Sequence, residues 1–142
     1  MKTIAITGAT GQIGYALIFQ LMRTLHSTPI YLRLIDLPIA QQRLDALKME
    51  LEDCAFKNLM GVTVTSDLKE GFKDADWALL VGSMPRKEGM ERADLLMKNG
   101  AIFKEQGQAI NEVAKRSVKV FVVGNPCNTN ALIAWHHAPD IA

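Results

Sequence analysis

Short runs of apolar residues alternate along the chain with longer segments in which apolar residues recur every three or four positions. Five runs predict strands, namely KTIAIT, IYLRLIDL, GVTVT, DWALLVG and VKVFVVG. The longer segments predict helices over 12–25, 40–55 and 93–115, and NPCNTNALIAWHHA predicts a turn followed by a last helix. Strands that alternate with helices indicate an α/β fold with a parallel sheet covered on both faces.

The apolar stripes of two predicted helices indicate which sides they bury. In the first helix the stripe consists of Ile13, Leu17, Leu21 and Leu25. Ala16, Ile18 and Met22 widen it, so we expect a helix that is buried on more than one side. In the long helix before the fifth strand the stripe consists of Leu96, Phe103, Ile110 and Val113. Gly100 and Gly107 interrupt that helix and predict a kink or a break.

Composition and charge limit the class of protein. With 142 residues, 49% of them hydrophobic, and a net charge of +1, the chain has the make-up of one globular domain over 1–142. Lysine and arginine form no basic block, and no apolar run approaches the roughly 20 residues that cross a bilayer, so we expect neither nucleic acid nor membrane as a partner. Met1 leads directly into a strand, with no signal-peptide pattern, so we expect a cytoplasmic location. Cys54 and Cys127 lie far apart in the sequence, and in such a location we expect both thiols to be reduced.

The first strand runs into a glycine-rich turn, ITGATGQIGYALIF, in which Gly8, Gly11 and Gly14 stand three positions apart. Glycine adopts positive φ and lets a ligand approach the backbone, and the start of a helix favours an anion. In dinucleotide-binding folds the first glycine makes the turn, the second admits the pyrophosphate and the third lets helix and strand pack closely. The spacing here is one residue longer at the front than the usual fingerprint. A tight turn that binds nothing is the alternative interpretation.

Asp36 favours the cofactor-binding interpretation of the glycine turn over a turn that binds nothing. It lies at the end of the second strand, in RLIDLP, about 20 residues beyond the glycines, where an acid accepts hydrogen bonds from the ribose hydroxyls of an adenosine. A carboxylate there repels a 2′-phosphate, which favours NAD over NADP. For Asp36 taken alone, a solvated carboxylate at a strand end is the alternative. Together with the glycines it predicts a cofactor site.

The segment SMPRKEGMER after the fourth strand breaks both periods and predicts a loop. It lies at the carboxyl end of the sheet, where such folds bind ligands. The loop carries Arg86, Lys87 and Arg92. Because guanidinium groups pair with carboxylates in a way that lysine does not, two arginines on one loop are suited to a substrate with two carboxylates. A solvated charged loop is the alternative.

Five segments together resemble the malate dehydrogenase family, in its cytosolic-type branch. They are TGATGQIGYALIF, MELEDCAF, FKDADWALLVGSMPRKEGMERADLL, GAIFKEQGQAINEVA and VVGNPCNTNALIA. They cover nearly the whole chain, and the arginine loop and VGNPCNTN are the most specific of them. The resemblance implies a Rossmann-type doubly wound parallel sheet with strand order 3-2-1-4-5. It also implies NAD as the cofactor, malate or oxaloacetate as the substrate, and a homodimer formed through helices such as 40–55.

The resemblance also assigns roles to residues. Arg86 matches a position that is arginine in malate and glutamine in lactate dehydrogenases, and it would pair with the distal carboxylate. Arg92 matches the second substrate-binding arginine, and Asn125 the asparagine that hydrogen-bonds the substrate oxygen beside the nicotinamide. The implied cofactor contacts are Gly8, Ala9, Thr10, Gly11, Gln12, Ile13, Gly14, Asp36, Asn99, Gln106, Val123, Gly124 and Asn125. Because Gly14 is alanine in some relatives, the third glycine is not expected to be a strict requirement.

The resemblance places the residues for proton transfer outside this sequence. The family uses a histidine oriented by an aspartate, and a third arginine for the carboxylate at the reacting end of the substrate. All three follow the fifth strand and its helix, in a pattern like LDHNR and a later loop. We therefore expect no catalytic residue within 1–142, and we expect the sixth strand and the catalytic domain to be missing.

The other histidines, cysteines and acidic residues are expected to have surface or structural roles and no catalytic one. His26, His136 and His137 are expected to be surface histidines near helix C-termini. Cys54 and Cys127 have no adjacent base, and the acids of MELEDC fit a solvated face or a subunit contact better than a metal site.

The main hypothesis is that the chain is the N-terminal cofactor domain of an NAD-dependent malate dehydrogenase, inactive by itself. One alternative is a non-catalytic NAD-binding module or partner subunit. The other is a dehydrogenase for a different 2-hydroxy acid such as lactate. Arg86 argues against lactate, since a methyl group offers its charge no partner.

Overall fold

The computed structural model describes residues 1–84 and 87–142. Its sheet has five parallel strands in the order β3-β2-β1-β4-β5, as predicted. The strands are β1 Lys2–Thr7, β2 Ile30–Ile35, β3 Leu59–Thr65, β4 Trp77–Leu80 and β5 Lys119–Val122. The helices are α1 Gln12–Thr24, α2 Gln41–Asp53, α3 Leu68–Phe72, α4 Arg92–Val113 and α5 Cys127–His136, with a 3-10 turn at Pro38–Ala40 before α2. Among the described residues, no helix has both the length and the apolar character to span a membrane.

Two hydrophobic clusters lie on opposite faces of the sheet, because successive residues of a strand point to opposite sides. In β1, Ile4 and Ile6 belong to the first cluster and Ala5 to the second. The first cluster receives side chains from α1 and α2, including Ile18, Met22, Leu44, Leu47 and Leu51. The second receives side chains from α3, α4 and α5, including Phe72, Phe103, Ile110 and Ala134. Helices therefore cover both faces of the sheet, as the apolar strands predicted, except at the edge strand β5, where Val120 and Phe121 are exposed.

The apolar stripe predicted for α1 is only partly the buried face. The buried residues of α1 are Gly14, Ile18, Phe19 and Met22, whereas Ile13 is 61% exposed. A row of residues four apart drifts around a helix of 3.6 residues per turn, so Ile13, at the start of such a row, lies on the outer surface. Leu96 of α4 is likewise exposed, while Phe103 and Ile110 of the same predicted stripe are buried.

Helix α4 runs without a break through Gly100 and Gly107, so of the predicted kink or break, the break is wrong. Gly107 serves packing instead. A Cβ at this position would lie 2.6 Å from the carbonyl oxygen of Ala134, so the missing side chain lets α5 approach α4 closely.

The short helix α3 was not predicted, because five residues are too few to show a helical period. Asp67 caps this helix, since its side chain accepts a hydrogen bond from the Lys69 amide at 3.0 Å.

Asp76 ties three parts of the chain together at the amino end of the sheet. Its carboxylate accepts hydrogen bonds from the Thr3 amide at 2.8 Å and from the Lys115 ammonium at 2.8 Å. Burial raises the pKa of this carboxyl, but the bonds from Lys115 and Thr3 outweigh burial and hold the pKa below its ordinary value. The opposite, carboxyl edge of the sheet is left for loops.

Candidate functional site

The loop after β1 forms a tight turn that packs against the end of β4. Gly8 has φ +64°, in the left-handed region that glycine adopts without strain. Its carbonyl accepts a hydrogen bond from the Gly11 amide at 3.0 Å, which closes the turn. A Cβ at Gly8 would lie 2.5 Å from the Cα of Gly82. The first glycine is therefore required both by the backbone conformation and by the neighbouring strand.

Gly14 is also required by packing in this chain. It is buried in the first turn of α1, and a Cβ there would overlap the carbonyl oxygen of Gly8 and come within 3.0 Å of the Cα of Ala9. An alanine at this position would push the helix away from the turn. The expectation that the third glycine is not strictly required therefore does not hold for this backbone.

The start of α1 has the properties of an anion site. Gly11 occupies the N-cap position and provides no side chain to cap the helix. The first turn contains no acidic residue, and Gln12 and Ile13 are exposed. The first backbone N–H groups of a helix have no partner within it, so these amides and the helix dipole face the surface. A pyrophosphate fits this arrangement of bare backbone and uncapped donors.

Asp36, at the end of β2, lies against this loop. Its Oδ2 accepts hydrogen bonds from the Thr10 amide at 3.0 Å and from the Thr10 hydroxyl at 2.6 Å. Its Oδ1 accepts a bond from the Leu37 amide at 2.8 Å. The tertiary structure thus brings the two parts of the predicted cofactor site, the glycine turn and the distant acid, into direct contact.

Two further predicted cofactor contacts lie on the buried side of α4. Asn99 is fully buried, and its side chain accepts a bond from the Met84 amide at 2.8 Å and donates one to the Met84 carbonyl at 3.3 Å. Gln106 is buried, and its Oε1 has no hydrogen-bond partner within the described structure. Asn99 therefore holds the start of the arginine loop, while the Gln106 oxygen is left available for a donor.

The residues after β5 extend the sheet toward the same edge. The amides of Val123 and Gly124 donate to the carbonyl of Leu80, at 3.0 and 3.3 Å. Asn125 follows and is exposed. The turn is held from α5, where the buried Asn130 donates from Nδ2 to the Gly124 carbonyl at 3.1 Å. Asn130 was not predicted to belong to the site, because it ends the polar stretch NPCNTN before ALIA and no local signal distinguishes it from its exposed neighbours Asn128 and Thr129.

The arginine loop is described in part. Arg86 lies outside the described residues, so its predicted contact with substrate is not placed. Arg92 is the first residue of α4 and is exposed, as is Lys87. Arg92 therefore stands at the carboxyl edge of the sheet, where the loop after β4 leads into α4.

The remaining reactive side chains form no second centre in the described ranges. His137 lies at the C-terminal end of α5, where its Nδ1 is 2.9 Å from the Ile133 carbonyl oxygen, and its ring contacts His136 edge to face. Cys54 and Cys127 are free thiols. Within residues 1–84 and 87–142, no group of three or more histidines, cysteines and acids is arranged to hold a metal ion.

Comparison with known proteins agrees with this geometry. The model of the lactate/malate dehydrogenase NAD-binding domain matches residues 2–141. The malate dehydrogenase of Naegleria fowleri ATCC 30863 superposes with a TM-score of 0.96 at 44% identity, over 99% of this chain and 44% of that one. The lactate dehydrogenase of Trichomonas vaginalis, in complex with NADH and oxamate, superposes with a TM-score of 0.92 at 50% identity, over 99% of this chain and 43% of that one.

A more distant structure, the apo malate dehydrogenase of Picrophilus torridus, superposes with a TM-score of 0.76 at 25% identity, over 99% of this chain and 43% of that one. The chain thus spans less than half the length of each of these three proteins. The cofactor of this domain is NAD, as the match over 2–141 and the NADH complex of the Trichomonas vaginalis enzyme show. The chain belongs to the lactate/malate dehydrogenase family, in which it corresponds to the NAD-binding domain.

Proposed function

We propose that this chain is the cofactor-binding part of an enzyme that interconverts malate and oxaloacetate with NAD. The observation that carries the proposal is the position of Arg92, exposed at the start of α4 and at the carboxyl edge of the sheet. A second arginine, Arg86, belongs to the same loop. Two guanidinium groups on one loop suit a substrate with two carboxylates, whereas a 2-hydroxy acid with a methyl group offers only one.

The chain's own residues bind and orient the reactants in this proposal. The start of α1 binds the pyrophosphate of NAD, and the Asp36 carboxylate accepts hydrogen bonds from the hydroxyls of the adenosine ribose. Asn125, exposed after β5, donates a hydrogen bond to the substrate oxygen. NAD supplies the redox chemistry by exchanging a hydride with C2 of the substrate. Arg86 and Arg92 hold carboxylate and close the loop over the substrate.

We propose that the proton-transferring histidine, its aspartate and a third arginine come from a further part of the enzyme. Support comes from length, since the chain covers 44% of the Naegleria fowleri malate dehydrogenase. A single domain over 1–142 that carries the cofactor, without the substrate domain, fits this arrangement. Since general acid–base catalysis contributes roughly 10²–10⁴-fold, the chain alone is expected to show negligible turnover.

Lactate is the second candidate substrate. It is supported by the 50% identity to the Trichomonas vaginalis lactate dehydrogenase, which was solved with oxamate. NADH oxidation should be measured with oxaloacetate and with pyruvate, using the chain alone and the chain combined with the C-terminal half of a malate dehydrogenase. Turnover restored with oxaloacetate supports the proposal, and turnover restored with pyruvate supports lactate. NAD binding without rescue by any complement supports a non-catalytic module.

We also propose a homodimer and a cytoplasmic location. Met49 on α2 is 63% exposed, which leaves apolar surface on the helix that the family resemblance assigns to the subunit contact. Sedimentation equilibrium of the chain and of Met49→Lys tests the dimer, which should weaken in the variant. Two free thiols fit a reducing compartment, and fractionation of cells that express the protein tests the location.

A further inference from the structure

The carboxylate of Asp36 is already engaged by the protein itself. Its three donors among the described residues are the Thr10 amide, the Thr10 hydroxyl and the Leu37 amide. Two of them, both from Thr10, meet on Oδ2, and the third meets Oδ1. The shortest contact, at 2.6 Å, is the one made by the Thr10 hydroxyl.

A carboxylate offers about four acceptor positions, two on each oxygen. With three positions filled from within the protein, one remains, on Oδ1. The two neighbouring hydroxyls of a ribose need two positions if each is to donate to the carboxylate. One of the protein's own donors must therefore leave before both hydroxyls can bind.

We propose that the Thr10 hydroxyl is this donor, and that it occupies one ribose position of Asp36 until the cofactor displaces it. The proposal rests on the proposed role of Asp36 as the ribose acceptor. Once the hydroxyl leaves, each carboxylate oxygen keeps one backbone donor, the Thr10 amide on Oδ2 and the Leu37 amide on Oδ1. Each oxygen then has one free acceptor position, which matches the two hydroxyls of the ribose.

The hydroxyl leaves more readily than the amides because only the hydroxyl moves by rotation about a single side-chain bond. The Thr10 amide is held by the turn around it, in which the Ala9 amide donates to the Ile35 carbonyl at 3.3 Å and the Gly11 amide donates to the Gly8 carbonyl at 3.0 Å. Thr10 is half-buried, so its hydroxyl reaches water after it turns away. Thr10 is therefore a specificity and positioning residue that competes with the ribose.

Removing the hydroxyl should tighten cofactor binding. Thr10→Val keeps the branched shape and the backbone amide but leaves the second position on Oδ2 free. Calorimetric titration of the 142-residue chain with NAD should show Kd lowered roughly 3- to 10-fold, because a hydrogen bond no longer has to be broken. Thr10→Ser keeps the hydroxyl and should not show this gain in NAD affinity. Thr63→Val, which removes a hydroxyl bonded to Tyr31 at 2.6 Å on β3, should leave Kd unchanged.

Two further titrations separate competition from a general effect on the loop. Thr10→Val should also bind adenosine diphosphate more tightly than the unmodified chain does. This gain in affinity should vanish with the 2′,3′-dideoxy analogue, whose ribose has no hydroxyls to donate to Asp36. It should also vanish in the Asp36→Ala background. Equal or weaker NAD binding by Thr10→Val, with NAD binding weakened in Asp36→Ala and unchanged in Thr63→Val, overturns the competition while leaving the ribose role intact. If Asp36→Ala itself leaves NAD affinity unchanged, the proposed ribose role fails and the competition fails with it.

Discussion

The side chain of Asn99 on α4 makes two hydrogen bonds to the backbone of Met84, at 2.8 and 3.3 Å. Asn99 is fully buried and Met84 is half-buried, so water has limited access to replace these bonds. The loop that carries the two arginines is therefore fixed to α4 at its first residues. Since α4 also ends this loop, with Arg92 as its first helical residue, one helix positions both of its ends.

Loss of the Asn99 amide should loosen this attachment. Asn99→Leu keeps the size of the side chain but leaves the Met84 amide and carbonyl without partners. We expect the free energy of unfolding to fall by about 1–3 kcal/mol, the cost of an unsatisfied buried group. Urea denaturation measures the change. Asn111→Leu is the matched control, because Asn111 bonds Asp140 at an exposed site and water can take its place. An equal loss in both variants would contradict the role given to Asn99.

Two glycines offer a direct comparison of packing. Gly14→Ala places a Cβ against the Gly8 carbonyl oxygen, so it should destabilise the chain by about 1–3 kcal/mol and weaken NAD binding by shifting the start of α1. Gly100→Ala puts a Cβ 3.5 Å from the Ile133 side chain, an ordinary contact, within a helix. It should be neutral or stabilise by up to about 1 kcal/mol. Thermal unfolding and NAD titration of both variants check this, and a stable, tightly binding Gly14→Ala would count against the observed turn geometry.

Cofactor selectivity should depend on Asp36. Asp36→Ser removes the charge that repels a 2′-phosphate and shortens the acceptor that reaches the ribose. We expect NAD to bind roughly tenfold more weakly and the preference for NAD over NADP to narrow. Calorimetric titration with both cofactors measures this. Asp45→Ser, on the exposed side of α2, is the control and should change neither affinity. Unchanged affinity for both cofactors in Asp36→Ser would remove Asp36 from the site.

The stability of the fold should depend on the charge of Asp76. Because its folded-state pKa is held below the ordinary value, Asp76 stabilises the fold above the unfolded-state pKa, about 4. This contribution is lost as the pH falls through the folded-state pKa. Asp76→Asn should therefore cost roughly 1 kcal/mol at pH 7, and the difference should shrink toward pH 2.

Urea denaturation of the chain and of Asp76→Asn at several pH values measures this difference. Asp140→Asn is the control, because Asp140 lies 3.9 Å from Arg116 in a pair whose side chains are both 63% exposed, and such pairs contribute little. A difference between the chain and Asp76→Asn that stays constant from pH 7 to pH 2 would contradict the charge-dependent contribution.

Substrate choice should depend on Arg86. In a complete enzyme that carries this chain, Arg86→Gln leaves the distal carboxylate of oxaloacetate without its partner. The ratio of kcat/KM for oxaloacetate to that for pyruvate should fall roughly 100-fold, since loss of one member of a desolvated charge pair costs about 2–5 kcal/mol. Lys87→Gln, the neighbouring exposed cation, is the control and should leave the ratio unchanged. An unchanged ratio in Arg86→Gln would refute its assigned role.

The order of strands and helices could be predicted from local patterns, because the two periodicities of the backbone are visible within each segment. β1 and the start of α1 fall at the predicted residues. The same holds for the glycine turn, since the positive φ of Gly8 is a local property of the chain. Where prediction relied on a row of residues four apart, it failed at Ile13, because the helical period is not four.

The sequence by itself determined the fold class, the cofactor turn and the residue types of the site. Only the tertiary structure decided which of these residues touch: Thr10 with Asp36, Met84 with Asn99, and Gly107 with Ala134. Each of these contacts joins residues far apart in the chain, and their distances depend on how helices pack on the sheet. A polar residue such as Asn130 shows the same limit. Its bond to Gly124 spans only six residues, but its full burial depends on how α5 packs against the rest of the fold.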